Sequence, residues 1–175
     1  MTPAAPPQPS VFAATLSRLA ALGLPHTIHE HSPTRTMAEA ERDLDFEPGR
    51  IVKTIAFRTR AGAIVLAALC GTLRVDYARL AAQVGVRRSD LSSLSPAEVL
   101  EYLGVEPGCV SPVDTGAAGL IVVDEAVLEL RATIYCGTGR ADRTLEVTPE
   151  ALVQLAGGRT GSFARQQPAE AEPPA

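Results

Sequence analysis

Two apolar runs on either side of a short turn constrain this chain more than any other feature. Arg50-Ile-Val-Lys-Thr-Ile-Ala-Phe57 and the run Ala63 to Leu69 flank Arg60-Ala-Gly62. This pattern predicts strands over 51–58 and 63–69 joined as a hairpin. Lys53 stands inside the first run. Lysine is among the residues least often buried without a partner. A cation fixed on a sheet and facing a cleft can grip an anion such as a phosphate. A lysine on the open face of a half-buried strand is the plainer reading, and this segment alone does not choose between them.

The chain has 175 residues, enough for one domain with its own core. Hydrophobic residues make up 46% and charged residues 21%, which excludes a disordered body. Aromatics are only 4%, with no Trp, so the core must be built from Leu, Val, Ile and Ala. The net charge of −4 argues against a protein that coats nucleic acid by bulk electrostatics. It leaves room for a local basic site. Arg50, Lys53, Arg58 and Arg60 follow directly on Glu39, Glu41, Asp43, Asp45 and Glu47, a pattern that two solvated faces also produce.

Cys70, Cys109 and Cys136 are far apart and odd in number, so no closed disulfide set is expected. A reducing cytoplasm suits them. The N-terminus has no basic stretch followed by an apolar one, so no secretory signal is expected. No run reaches the ~18 apolar residues of a membrane span. Residues 1–9 carry four prolines, and the stretch from Gln166 to Ala175 is rich in Pro, Ala and Glu. Both read as disordered ends around a folded unit over 10–165.

Within that unit, Ser10 caps a predicted helix with Phe12, Leu16, Leu19 and Leu22 at helical spacing, stopped by Gly23. A short strand is expected over 25–31. Thr36-Met-Ala-Glu39 is a capping box for a helix to about Leu44, broken by Pro48-Gly49. Asp76 caps a helix through Val84, with Gly85 as its stop. Val86 to Arg88 reads as a short strand. Ser95-Pro-Ala-Glu98 opens a helix that ends near Gly104. Residues 105–118 form a long loop, the kind that often carries function. Strands are expected over 120–123, 132–136 and 145–147, the last followed by a final helix from Pro149. The strands neither alternate with helices nor collect in one block. An α/β domain with a mixed sheet or small barrel, flanked by helices, is the expected fold.

Four segments are candidates for chemistry. His26, His29 and His31 fall within six residues, but no carboxylate or cysteine set at suitable spacing accompanies them. Neither a metal nor a cofactor is expected, and polar edge-strand positions explain the histidines. Cys109 lies in the long loop without a catalytic His signature, so it reads as a small buried residue before a nucleophile. Gly137-Thr138-Gly139 lacks the phosphate-binding patterns, and a turn between strands accounts for it. Its glycines still allow close backbone approach by a ligand. Gly108-Cys-Val-Ser-Pro112 pairs a glycine of free backbone with a proline of fixed φ. Such a loop can present backbone groups to a small ligand, or simply connect two elements.

Several of these segments, taken in order, resemble the aminoacyl-tRNA editing family that includes the bacterial YbaK proteins and the insertion domain of bacterial prolyl-tRNA synthetases. They are His29-Glu-His31 with Arg35-Thr36, Val52-Lys-Thr54, Arg74-Val-Asp76, the GxxxP of Gly108 to Pro112, Ile121-Val-Val-Asp124, the run Ile134 to Arg140, and Leu145-Glu-Val-Thr-Pro-Glu150. The resemblance spans about residues 12–155. It implies a single domain with a mixed, barrel-like sheet and hydrolysis of the ester between a wrong amino acid and its tRNA. Lys53 matches the family's required lysine, and Gly108 and Pro112 match the loop framing the aminoacyl group. Gly137 to Gly139 match a further wall. On this basis Lys53 and Gly108 are the expected catalytic positions. His31, Thr54, Val110, Ser111, Pro112, Gly137, Thr138 and Gly139 are the expected substrate-binding positions. The chain departs from some members at Gly137, Thr144 and His29, where those carry serine, aspartate and an aromatic residue.

The resemblance further implies a mischarged tRNA acceptor end as partner, with tRNA-Pro carrying Cys or Ala as the leading substrate. A prolyl-tRNA synthetase is a second implied partner, no membrane is involved, and the chain is expected to act in trans. Val110, Ser111, Pro112 and Cys136 are the residues expected to limit the size of the accepted amino acid. Two other readings use the same residues. A non-catalytic module that binds an aminoacyl-adenosine or nucleotide end would also need Lys53 and the GxxxP loop. An interaction protein would work through its proline-rich ends.

Overall fold

The structure, a computed structural model, describes residues 10–113, 116 and 118–166. Expectations for residues 1–9 and for the tail beyond Gln166 lie outside these. Helix α1 (Val11–Leu22) opens on Ser10, whose hydroxyl accepts from the Ala13 N–H, and stops at Gly23 with φ 62°. Strand β1 (Thr27–Glu30) follows, then α2 (Met37–Asp43), with the capping box of Thr36 and Glu39 formed in both directions. The predicted hairpin is present as β2 (Ile51–Thr59) and β3 (Ile64–Cys70). Its register sets Lys53 opposite Leu69 and Thr54 opposite Ala68.

Beyond the hairpin come β4 (Leu73–Val75) and α3 (Tyr77–Val84), the latter capped by Asp76 and closed by Gly85. The strand expected over 86–88 is displaced. Arg88–Asp90 is a 3-10 turn, and the strand is β5 (Leu91–Ser93), paired with the far end of β2. Val86 and Leu91 both pack into the core under α3, so the apolar signal at Val86 is a packing signal without a ladder. Helix α4 (Pro96–Leu103) carries the second capping box. After the long loop come β6 (Leu120–Asp124), α5 (Glu125–Leu128), β7 (Ile134–Gly137), β8 (Arg143–Val147) and α6 (Pro149–Leu155).

Two short strands then follow, β9 (Thr160–Gly161) and β10 (Ala164–Gln166). Nothing in the periodicity announces them. They are held by a buried carboxylate. Asp124 caps α5 through one oxygen, and its other oxygen accepts the N–H groups of Phe163 and Ala164, each at 2.8 Å. A carboxylate with three backbone donors is a satisfied buried charge. It draws Phe163 into the core, where that ring is fully buried.

The main sheet runs β1-β8-β7-β2-β3-β6-β9, and β4 with β10 forms a separate two-stranded ribbon. The sheet is mixed. The β2–β7, β3–β6 and β6–β9 pairs are parallel, and the others are antiparallel. This agrees with the α/β, mixed-sheet expectation. β3 is buried along its whole length, which is why Ile64-Val-Leu-Ala-Ala-Leu-Cys70 is continuously apolar without alternation. Val52, Ala56, Leu66 and Ala68 join one core on one face, with Leu19 of α1 and Leu152 and Leu155 of α6. Phe57, Val65, Ala67 and Leu69 join a second core on the other, with Leu80 of α3 and Phe163. Truncating a fully buried leucine such as Leu69 costs about 2–5 kcal/mol. Cys70 and Cys136 flank Val52 on its two neighbouring strands. At ~4.8 Å per strand they stand about 10 Å apart, too far for a disulfide.

Candidate active site

The site arises from an interruption in pairing. On one edge β2 joins β7 only at Ile51 and Val52, and it joins β5 only from Phe57 to Thr59. Between these, Lys53 to Ala56 have no strand on that edge, and the carbonyl of Ala56 accepts from Leu94 N–H. A cleft of about 390 Å³ opens there. Lys53 and Thr54 lie on one wall, Gly108 and Val110 on another, and Met37, Ala40 and Leu44 of the α2 region on a third. No residue of α2 is buried. Met37, Ala40 and Leu44 lie at helical spacing, and that stripe faces the cleft instead of the main core.

Lys53 is half-buried, and its ammonium donates to the Gly71 carbonyl at 3.0 Å. An ammonium has three donors, and no carboxylate pairs with this one among the described residues. Burial is the larger cause lowering its pKa, and the like charge of Arg74 adds to it. An anion entering the cleft relieves both. Beside it, the Thr54 hydroxyl is buried without a hydrogen-bond partner, and so is that of Ser111. Such groups are few in folded proteins and call for an explanation. Thr54 lines the cleft, where a ligand can supply the partner.

The loop opposite Lys53 is pinched between two backbones. Gly108 has φ +85°, and a β-carbon on it would fall 1.8 Å from the Arg35 carbonyl oxygen. A β-carbon on Gly137 would fall 2.7 Å from the Val110 carbonyl oxygen. Only glycine allows either approach. An ion pair between Arg35 and Glu106 at 2.5 Å straps the loop to the α2 side. Both side chains are about half exposed, so this strap contributes little beyond geometry.

Of the expected site residues, the structure brings Lys53, Thr54, Gly108, Val110 and Gly137 together around one cleft. His31, Ser111, Pro112, Thr138 and Gly139 are not on its wall. His31 bonds Thr144, itself a lining residue, at 2.7 Å. Ser111 and Pro112 are buried behind Val110. Thr138 is fully buried and donates to the Arg143 carbonyl, while Gly139 packs its backbone against Val11 of α1. The thiol readings weaken here. Burial pushes Cys109 up and Cys136 up to about 12, away from the reactive thiolate.

Sequence reasoning missed an aromatic group at the cleft. Phe46 and Tyr135 both line it and stack with centroids 4.0 Å apart. Arg50 lies 4.6 Å over Tyr135, and Glu146 accepts from His29 at 2.7 Å and Arg50 at 3.2 Å. The only available signal was scarcity. A chain with four Phe and three Tyr places two of them here.

The aminoacyl-tRNA editing domain family matches residues 31–155. The chain is 31% identical over 128 residues to a proline–tRNA ligase of Xanthomonas axonopodis pv. citri (strain 306), covering 73% of this chain and 20% of the ligase. It therefore spans about a fifth of that relative's length. Among solved structures, a hypothetical protein superposes with TM-score 0.75 at 28% identity, covering 87% of this chain and 99% of the other. A candidate trans-editing enzyme for prolyl tRNA synthetase gives TM-score 0.73 at 26% identity, covering 89% and 97%. The match over residues 31–155 places this chain in the aminoacyl-tRNA editing domain family.

Proposed function

We propose that this protein is an aminoacyl-tRNA deacylase that acts in trans and removes a small amino acid from a mischarged tRNA, with tRNA-Pro carrying Cys or Ala as the leading substrate. The observation that carries this reading is the half-buried Lys53, with no carboxylate partner among the described residues, lining the same small, largely apolar cleft as the Gly108 loop. Action in trans is supported by the candidate trans-editing enzyme, of which this chain covers 97%.

The chemistry asks little of protein nucleophiles. An aminoacyl ester is already activated, and its hydrolysis needs positioning and stabilisation of developing charge. Lys53 holds the terminal adenosine through phosphate or ribose oxygens. Gly108 and its neighbours set the aminoacyl group and a water against each other. Water adds to the ester carbonyl carbon, and the neighbouring ribose hydroxyl relays its proton, accepting it from the water while passing its own to the departing ribose oxygen. The bond between that carbon and the ribose oxygen then breaks. Free amino acid and intact tRNA leave.

A panel of tRNAs mischarged with Ala, Cys or Ser, together with correctly charged Pro-tRNA, tests this directly. Release of free Ala or Cys at catalytic protein concentrations is the expected result. Binding of charged tRNA without release of amino acid would replace the enzyme by a binding module.

A further inference from the structure

The β4–β10 ribbon places two arginines directly opposite each other, Arg74 and Arg165. Leu73 and Val75 turn inward to the core, and Arg74 between them is exposed, as is Arg165. Like charges facing across a ribbon, with β-carbons ~5 Å apart, destabilise it. Nine arginines of the described chain sit in ion pairs. Neither Arg74 nor Arg165 is among them, and neither guanidinium makes a hydrogen bond among the described residues. Arg131 shares that state, but no second cation faces it across a strand.

The ribbon starts at the site already described. Gly71, whose carbonyl holds the Lys53 ammonium, lies three residues before Arg74. Arg74 is near enough for its charge to act on Lys53. The carboxylate that interacts with Arg165 is Asp76, and it is already committed to the amides of Ala78 and Arg79 and to the Arg79 guanidinium. Glu125 and Glu129 share a depression with Arg165 and oppose an anion on that side, and the Arg79 that also lines it is paired with Asp76. Arg165 faces Arg74, and Arg74 lies three residues beyond the Gly71 carbonyl that holds the cleft-lining Lys53, so an anionic strand on this ribbon would meet cations next to the site.

We propose that Arg74 and Arg165 bind the phosphodiester backbone of the RNA strand whose end enters the cleft. This rests on the editing reading for the identity of the strand. It explains why a chain of net negative charge keeps two unpaired, mutually repelling cations on a ribbon next to its site. Other arginines are tied to carboxylates and are less available to phosphate: Arg58, Arg60 and Arg87 to Glu98 and Asp90, and the cleft-lining Arg35, Arg140 and Arg143 to Glu106 and Asp142.

The test uses the full chain with R74Q/R165Q and, as a control, R58Q/R60Q. Affinity for uncharged tRNA and for a short single-stranded RNA ending in CCA is measured across a series of KCl concentrations. Each phosphate contact on a single strand contributes about 0.7 to the slope of log K against log salt. Loss of about 1.4 from the slope, with affinity down about tenfold at low salt, is expected for R74Q/R165Q. On mischarged tRNA the same variant should raise KM with little change in kcat. Its melting temperature should match or exceed that of the wild type, since a repulsion is removed. An unchanged slope, or an equal loss in R58Q/R60Q, overturns the proposal. If the wild type releases no amino acid from any charged tRNA, the editing reading fails, and the RNA-binding measurement still decides the role of the arginine pair.

Discussion

A β-carbon on Gly108 would stand 1.8 Å from the carbonyl oxygen of Arg35, so this loop and the segment leading into α2 touch backbone to backbone. Gly108→Ala is therefore opposed twice, by its φ of +85° and by that contact. Backbone in this region costs a non-glycine residue about 1–3 kcal/mol, and the clash must also be relieved by moving one segment away. The expected result is a lower urea midpoint and a loss of deacylation greater than the loss of stability, because the loop frames the cleft. A G108A protein with wild-type stability and activity would contradict this packing.

The GxxxP spacing and the KT strand were legible because each leaves a local chemical trace. One is a glycine–proline pair in a long loop, and the other a lysine in an apolar run. The hairpin, both capping boxes and the helix stops at Gly23, Gly85 and Gly104 were legible for the same reason. Strands β9 and β10 were not. Two or three residues carry no period, and what orders them is Asp124, some forty residues earlier in sequence. Phe46 and Tyr135 are far apart in sequence and meet through tertiary packing, with Tyr135 set beside Ile51 by the parallel β2–β7 pairing that no local pattern encodes. His31 and Thr138 illustrate the reverse case. Their segments neighbour lining residues of the cleft, but their side chains bond to Thr144 and to the Arg143 carbonyl.

Lys53 is held as a cation at a cost, since burial and Arg74 both lower its pKa. The sign of the pH effect follows. Between the lowered folded value and the usual value near 10.5, the unfolded chain binds the extra proton, so stability gained from this group rises with pH across that window. Below the window the full cost is present. Lys53→Met removes the cost, so it should be at least as stable as wild type at pH 7, with the gap narrowing in alkaline solution. Deacylation by the same variant should fall at least a hundredfold. Urea titrations at pH 7 and pH 10 beside a deacylation assay check both parts. A variant that unfolds would show the lysine to be structural, and one that retains the wild-type rate would show it to be dispensable for the reaction.

Glu146 behaves in the opposite sense. Hydrogen bonding from Thr133 and then from His29 are the main causes holding its carboxyl below the ordinary value of 4.5. A carboxylate of this kind contributes stability above the unfolded pKa, and that contribution is lost as pH falls through the folded one. The wild type should therefore lose stability between about pH 5 and pH 3 more steeply than Glu146→Gln. The variant should also loosen His29, Arg50 and the Phe46–Tyr135 stack at the cleft, raising KM at neutral pH. Denaturant midpoints from pH 6 to pH 3 read the first effect. Parallel slopes in the two proteins would show that Glu146 is not responsible for the acid limb.

Val110 is the position at which size selection is most open to test. Its side chain lines the cleft, its carbonyl packs against Gly137, and Ser111 and Pro112 behind it are buried. Shortening it enlarges the pocket without moving the backbone contact that fixes the loop. One methylene in an apolar pocket changes discrimination by about 1–3 kcal/mol, or roughly 10–200-fold. Val110→Ala should therefore narrow the ratio of kcat/KM between a small aminoacyl group such as Ala and a larger one such as Val by at least tenfold. The change should come from faster reaction of the larger substrate, with Ala little affected. Val110→Phe should fill the space and depress both. If Val110→Ala leaves the ratio where it was, the size limit is set elsewhere in the cleft, and the wall formed by Ile55 and Val99 is the next to be altered.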